Sequence, residues 1–146
     1  MAMRIENKKA RFDYEVVESF GAGLILTGAE VKSIKAGQVN LTGARVIEKD
    51  GRLWVVGMNV PKYQFSTDPD YDPGRIRELL FRKKEITQIM AKKLSSGLTL
   101  VALTVYNKGD LIKLEIGLVR GKKKYEKREL VKKRTEERAL ARRLKK

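Results

Sequence analysis

The sequence predicts a mainly β protein: a small closed barrel of about six strands, with two or three short helices and a basic C-terminal tail. Three observations lead there. Apolar and polar residues alternate with a period of two over 12–16, and β-type runs recur over 98–106 and 111–120. An Asp50-Gly51 pair divides two β-rich runs at 44–49 and 52–58. The composition then changes at Gly121, beyond which charge replaces apolar periodicity. A length of 146 residues fits one domain, and 42% hydrophobic residues suffice for one modest core.

Residues 1–10 are polar and are expected to be loose. Phe12, Tyr14 and Val16 alternate with Asp13 and Glu15 as a half-buried strand does. Gly21 and Gly23 mark a turn or bulge before a second short strand at 24–26. Thr27 and Glu30 have the capping-box spacing, so a short helix follows. Val31 and Ile34 share one of its faces, Lys32 and Lys35 point elsewhere, and Gly37 suits its end. Asp-Gly between β-rich runs is a hairpin signal, because both turn positions require positive φ. Pro61 ends the second run, and 66–74 is a loop.

Asp72 and Pro73 suit a helix start, and Ile76, Leu79 and Leu80 give an apolar stripe. Ile86, Ile89, Met90 and Leu94 give a second stripe out of phase with the first. Two short helices, or one bent one, are therefore expected to end near Gly97. The runs at 98–106 and 111–120 are joined by Asn107-Lys108-Gly109-Asp110, and Ile112, Leu114, Ile116 and Leu118 line one face of the second. The organisation read from this is a body at 1–120 and a tail at 121–146.

The net charge is +15 and the pI is near 10.1, which points to a polyanionic partner. The tail holds 13 of the 33 Lys and Arg residues and 4 of the 18 acids, so it carries +9 of that charge. Histidine and cysteine are absent, which removes the commonest general base, thiolate chemistry and the usual zinc ligands. No enzyme and no cofactor is expected. Asp68, Asp70 and Asp72 resemble a calcium loop in spacing, but Pro73 follows directly and Leu79 stands where the bidentate acid belongs. Gly21, Gly23 and Gly28 match neither phosphate-binding glycine pattern. No run of 18 apolar residues and no secretory signal is visible, so a cytoplasmic protein with no membrane contact is expected.

The cations form clusters. Lys8, Lys9 and Arg11 make one, and Lys32 with Lys35 another. Lys122-Lys123-Lys124, Lys127-Arg128 and Lys132-Lys133-Arg134 make the largest, followed by Arg138 and Arg142. Too few apolar residues stand among them to fold the tail alone, so it is expected to be disordered when free. Its Glu residues sit at helical spacing from basic ones, so a helix is available on a suitable surface, as in arginine-rich segments that fold on RNA. Tyr125 lies inside the basic run, away from any apolar neighbour, where a base could stack on it. Tyr63, Phe65 and Tyr71 surround a loop and fit a core edge and an RNA platform equally well.

Four blocks occur in order: Asn7-Lys8-Lys9-Ala10; residues 26–37, centred on Glu30-Val31-Lys32-Ser33; residues 72–80, from Asp72-Pro73-Gly74 to Leu79-Leu80; and Gly121-Lys122-Lys123-Lys124-Tyr125-Glu126-Lys127-Arg128. Together they resemble the SsrA-binding proteins, the small protein B family, over nearly the whole chain from about residue 7. That resemblance implies an OB-fold-like barrel binding the transfer-RNA-like domain of transfer-messenger RNA, with elongation factor Tu reached through the shared RNA. It implies rescue of stalled ribosomes, the tail entering the decoding centre and the messenger channel as a helix. It implies an RNA-binding face at Asn7, Leu80 and the helix with Lys32 and Lys35; together with the cation cluster at Lys8, Lys9 and Arg11, and with Tyr63, Arg75 and Arg77, these are the expected RNA-binding residues. It implies ribosome contacts from Gly121, Lys122, Lys123, Lys124, Tyr125, Lys127 and Arg128, and further along the tail from Lys132, Lys133, Arg134, Arg138 and Arg142. Gly21 stands where many members carry Glu, and Glu78 where a basic residue is usual. The other readings compatible with composition are a structural ribosomal protein of OB type and a general single-strand binder.

Overall fold

A computed structural model describes residues 3–122, 128 and 131–139. In chain order the elements are β1 (Arg4–Glu6), α1 (Lys8–Asp13), β2 (Tyr14–Leu24), α2 (Gly28–Lys35), β3 (Arg45–Lys49), β4 (Arg52–Val56), β5 (Arg77–Leu80), α3 (Lys83–Ser96), β6 (Thr99–Lys108) and β7 (Leu111–Gly121). A further helix, α4, runs over 131–139.

The strands follow the order β6-β3-β4-β5-β2-β7, and β6 pairs with β7 again to close the ring. The barrel thus has six strands, all antiparallel to their neighbours, and β1 is an additional strand on β6. Closure removes the open edges that would otherwise invite pairing between chains. The Asp-Gly hairpin forms as the sequence dictates: Asp50 and Gly51 both adopt positive φ, 55° and 73°, and β3 and β4 pair in register on either side.

Alternation along the strands fills the barrel. Ile112, Leu114, Ile116 and Leu118 of β7 meet Leu53, Val55, Leu79 and Leu100, and Ile34 of α2 and Ile89 of α3 are buried in the same cluster. Each such side chain contributes about 1.5–3 kcal/mol, whereas the exposed ion pairs on the outside contribute about 0–1 kcal/mol each. The core therefore holds the barrel.

A register shift in β6 between Ala102 and Thr104 turns Leu103 outward, where it joins Val101, Val119 and Ala10 in a second apolar cluster. That outer cluster seats α1 on the barrel. Residues 4–13 are accordingly ordered, not loose: β1 pairs with 104–106 of β6, and α1 replaces the start of the expected strand. The Phe12–Asp13–Tyr14 alternation was too short to separate a helix end from a strand start.

Two further expectations are corrected. Residues 77–80 form strand β5 between β4 and β2, not a helix. Arg77 and Leu79 point inward while Leu80 points outward, a period of two that the apolar spacing of three and four at Ile76, Leu79 and Leu80 obscured. Gly21 and Gly23 lie inside one continuous strand, β2, whose register shift falls instead between Val16 and Glu18. These glycines make room for neighbours: a Cβ on Gly21 would collide with the Tyr106 hydroxyl, and one on Gly23 would stand 3.3 Å from Leu80 Cδ1. The capped helix at 28–35 and the helix ending at Gly97 form as expected, with Gly97 in the left-handed conformation at φ 61°.

Candidate nucleic-acid interface

The capping box that starts α2 also builds the charged centre of this face. The Thr27 hydroxyl accepts from the Glu30 amide at 3.3 Å, and Glu30 Oε1 accepts from the Thr27 amide at 2.8 Å. The same carboxylate, 1% exposed, takes Arg75 Nη2 at 2.6 Å and Arg77 Nε at 2.5 Å. Arg77 completes its fork by donating to the carbonyls of Met58 at 2.8 Å and Pro73 at 3.1 Å. One buried acid thereby ties α2, β5 and the loop before β5 into a single unit and fixes the angle at which α2 leaves the barrel.

Burial alone would push the Glu30 carboxyl up. The hydrogen bonds from Arg75, the Thr27 amide and Arg77 together outweigh it and hold the group below the ordinary carboxylate range. A depressed folded-state pKa contributes stability above the unfolded value near 4.5, and that contribution is lost as pH falls through the lower folded value. The stability gap between wild type and Glu30→Gln is therefore expected to be widest at neutral pH and to narrow once pH falls below about 4.5. Denaturant midpoints for both chains at pH 7 and pH 3 check this; an equal gap at both would show that Glu30 is not ionised in the fold.

The outer side of α2 carries Lys32 and Lys35, both exposed. Lys32 Nζ lies 5.9 Å from the Tyr63 ring centroid, and Tyr63 meets Phe65 edge to face at 5.5 Å. Lys35 borders a cleft of about 480 Å³ with Met3, Ile5, Asn107 and Asp110.

α1 carries the second cationic group. Asn7 caps this helix through Oδ1, which accepts from the Ala10 amide at 3.1 Å. Its Nδ2 donates to the carbonyls of Leu41 and Ala102 at 2.8 and 2.9 Å. At 3% exposure Asn7 anchors α1 to the barrel. It presents Lys8 and Lys9 to solvent. Lys9 pairs with Asp13 at 3.3 Å, and Arg11 pairs with Glu115 at 2.9 Å. The Lys122 backbone and side chain both reach α1, at the carbonyls of Asp13 and Arg11, each at 2.9 Å. The exit of the tail is thus fixed beside this cluster. Arg134 of α4 lies 5.4 Å from the Phe12 ring centroid of α1.

Of the sequence-predicted residues, Lys8, Lys9, Lys32, Lys35 and Leu80 are exposed, and Arg11, Tyr63 and Arg75 are half-buried. Arg77 has no exposed side chain and its guanidinium is fully engaged within the protein, which corrects its placement on an RNA-contacting surface. Periodicity could have warned of this, since inward position in β5 follows once 77–80 is read as a strand. Glu78 pairs with Arg52 at 2.9 Å, so this departure from the family pattern also engages a neighbouring cation. Gly121 ends β7, opposite Tyr14. Arg128 and, on α4, Lys132, Lys133, Arg134 and Arg138 are exposed. Lys123, Lys124, Tyr125, Lys127 and Arg142 lie outside the described residues. Among the described residues, no cluster of acids suited to a metal ion occurs, and no helix is long and apolar enough to cross a membrane.

Comparison with known proteins gives a consistent result. The family model described as SmpB protein matches residues 4–146. The SsrA-binding protein of Salinispora arenicola (strain CNS-205) is 43% identical over 136 residues, covering 93% of this chain and 86% of that protein. That of Gloeothece citriformis (strain PCC 7424) is 41% identical over 141 residues, covering 96% and 91%. A chain of the solved structure "tmRNA-SmpB: a journey to the center of the bacterial ribosome" superposes with a TM-score of 0.69 at 40% identity, covering 83% of this chain and 85% of that one. The chain belongs to the SmpB protein family.

Proposed function

We propose that this chain binds the transfer-RNA-like domain of transfer-messenger RNA and brings it to stalled bacterial ribosomes for rescue and peptide tagging. The observation that carries this reading is the match at 40% identity, over most of both chains, to a protein solved in a tmRNA-SmpB ribosome structure. The physical chemistry agrees. The barrel offers two cationic helices on a rigid frame, suited to recognising RNA shape, and the tail carries enough charge to follow phosphates. In this reading the body binds RNA through α1, α2 and the surface around Tyr63, Arg75 and Leu80. The tail, from Lys122 through Arg142, occupies the decoding centre and messenger channel. Elongation factor Tu is met through the shared RNA, the protein works in the cytoplasm, and its task is binding, with no catalytic step.

Sequencing the RNA that co-purifies with the tagged chain tests this. One abundant RNA with a transfer-RNA-like end is expected. Constitutive co-purification with one ribosomal subunit would indicate a structural ribosomal protein, and a mixture of unrelated RNAs a general single-strand binder. In salt titrations each neutralised phosphate contributes about 0.7–0.9 to the slope of log K against log salt. Because Lys9, Arg11 and Arg75 are already engaged by acids, the body is expected to give a modest slope and to keep its preference for the structured RNA at raised salt.

A further inference from the structure

The loop between β4 and β5 holds an aromatic pair that the barrel does not need. Phe65 is 72% exposed, at the tip of a turn closed by the Ser66 amide donating to the Tyr63 carbonyl at 2.9 Å. Leaving so large an apolar ring in water is unfavourable, and the loop is not slack enough to explain it. Ser33 of α2 donates to the Pro61 carbonyl at 2.7 Å, and the Tyr71 hydroxyl donates to the Val60 carbonyl at 2.7 Å. Both ends of the loop are therefore fastened, one of them directly to the cationic helix.

The ring is also oriented. Tyr63 supports Phe65 edge to face, with centroids 5.5 Å apart and planes at 69°, a favoured geometry for two aromatic side chains. Lys32 approaches the Tyr63 ring at 5.9 Å, within cation–π range. Of the three acids of the loop, Asp68 and Asp72 each turn a carboxylate oxygen onto a backbone amide of the loop itself, at 2.9 and 3.0 Å. What remains is an exposed flat ring, braced from below, next to an exposed lysine.

We propose that Phe65, braced by Tyr63 beside Lys32, is a stacking platform for one unpaired base of the bound RNA. The inference rests on the RNA-binding reading above and specifies a contact within it. A flat π-face accepts any base, and the adjacent ammonium meets the phosphate that an unstacked nucleotide brings with it. A protein partner would require apolar surface around the ring, whereas the neighbours Lys62, Gln64 and Thr67 are polar and exposed.

The test is titration of the full chain against transcribed transfer-RNA-like domain carrying 2-aminopurine at unpaired loop positions. Phe65→Ala is expected to weaken binding about 5- to 150-fold and to remove the fluorescence change at one position. Phe65→Trp should retain both, while Phe65→Leu should behave like Phe65→Ala, because apolar area survives but the ring does not. The melting temperature and the salt slope should stay at wild-type values, since the side chain is exposed and uncharged. Lys32→Ala should instead reduce the slope by about one phosphate's worth. Wild-type affinity in Phe65→Ala, or full binding by Phe65→Leu, overturns the platform while leaving the RNA-binding reading intact. Normal RNA binding by Phe65→Ala with loss of ribosome rescue would place the ring against a protein, and also overturns it. A wild-type chain that binds this RNA no better than unstructured RNA overturns both.

Discussion

Arg77→Ala is expected to lower the unfolding free energy by about 3–5 kcal/mol, the cost of removing one partner from a buried ion pair. The side chain is 0% exposed, and its three donor nitrogens are matched one to one with Glu30, the Met58 carbonyl and the Pro73 carbonyl. Truncation would leave Glu30 held by the Thr27 amide and the partly exposed Arg75 alone, with two carbonyls unpaired and a cavity beside them. Arg77→Lys should recover little, because an ammonium cannot reproduce a planar fork aimed at three acceptors. Replacing both Arg77 and Glu30 by Met should cost less than the sum of the two single Met changes, since no fully buried charge is left unpaired and Arg75, which also loses Glu30, is partly exposed. Urea unfolding of wild type, Arg77→Ala, Arg77→Lys, the two single Met variants and the double Met variant measures this; a loss below about 1 kcal/mol for Arg77→Ala would mean that water reaches the pair.

The same residue marks the limit of what the sequence discloses. Asp50-Gly51 and the Thr27–Glu30 box were legible because the chemistry is local: a turn needing positive φ, and a hydroxyl and a carboxylate exchanging amides three residues apart. The final hairpin was legible from alternation in β7. Strand β5 was not, because four residues with two adjacent leucines fit helix and strand alike, and only pairing with β4 and β2 decides between them. The start of the chain looked loose because what orders it is distant: Asn7 is bound to Ala102, 95 residues away, and Ala10 rests on Leu103 and Val119. The candidate site shows the same division. Charge clusters on α1 and α2 can be read from composition, but which arginine faces solvent depends on strand orientation. Thus Arg75 is partly available while Arg77, two residues on, is sealed beneath it. Phe65 is the reverse case, a residue whose type suggests core and whose place in a fastened loop leaves it in water.

The largest functional effect is expected from cutting the chain between body and tail, and the structure refines where to cut. Charge composition alone puts the boundary after Arg120. Yet Gly121 still pairs with Tyr14, and Lys122 donates both its amide and its ammonium to carbonyls of α1. Each such hydrogen bond is worth about 0.5–1.5 kcal/mol, so ending the chain at Arg120 removes a few kcal/mol from the seat of α1 as well as the tail. The residues lost with it are the clamp on the helix that presents Lys8 and Lys9. A chain ending at Lys122 keeps the Gly121 pairing and both Lys122 hydrogen bonds, and removes every tail cation from Lys123 onward. It should melt within a few degrees of the full chain and bind the transfer-RNA-like domain nearly as well. Peptide tagging on stalled ribosomes should nevertheless be abolished, since in the proposed reading the tail is what occupies the decoding centre and messenger channel. The chain ending at Arg120 should in addition melt lower and bind RNA more weakly. Tagging assays on reconstituted stalled ribosomes, with melting curves and RNA titrations of both truncated chains, check each step. Normal tagging by the chain ending at Lys122 would place rescue in the barrel itself and reject the division of labour; equal stability of the two truncations would show that Lys122 does not clamp α1.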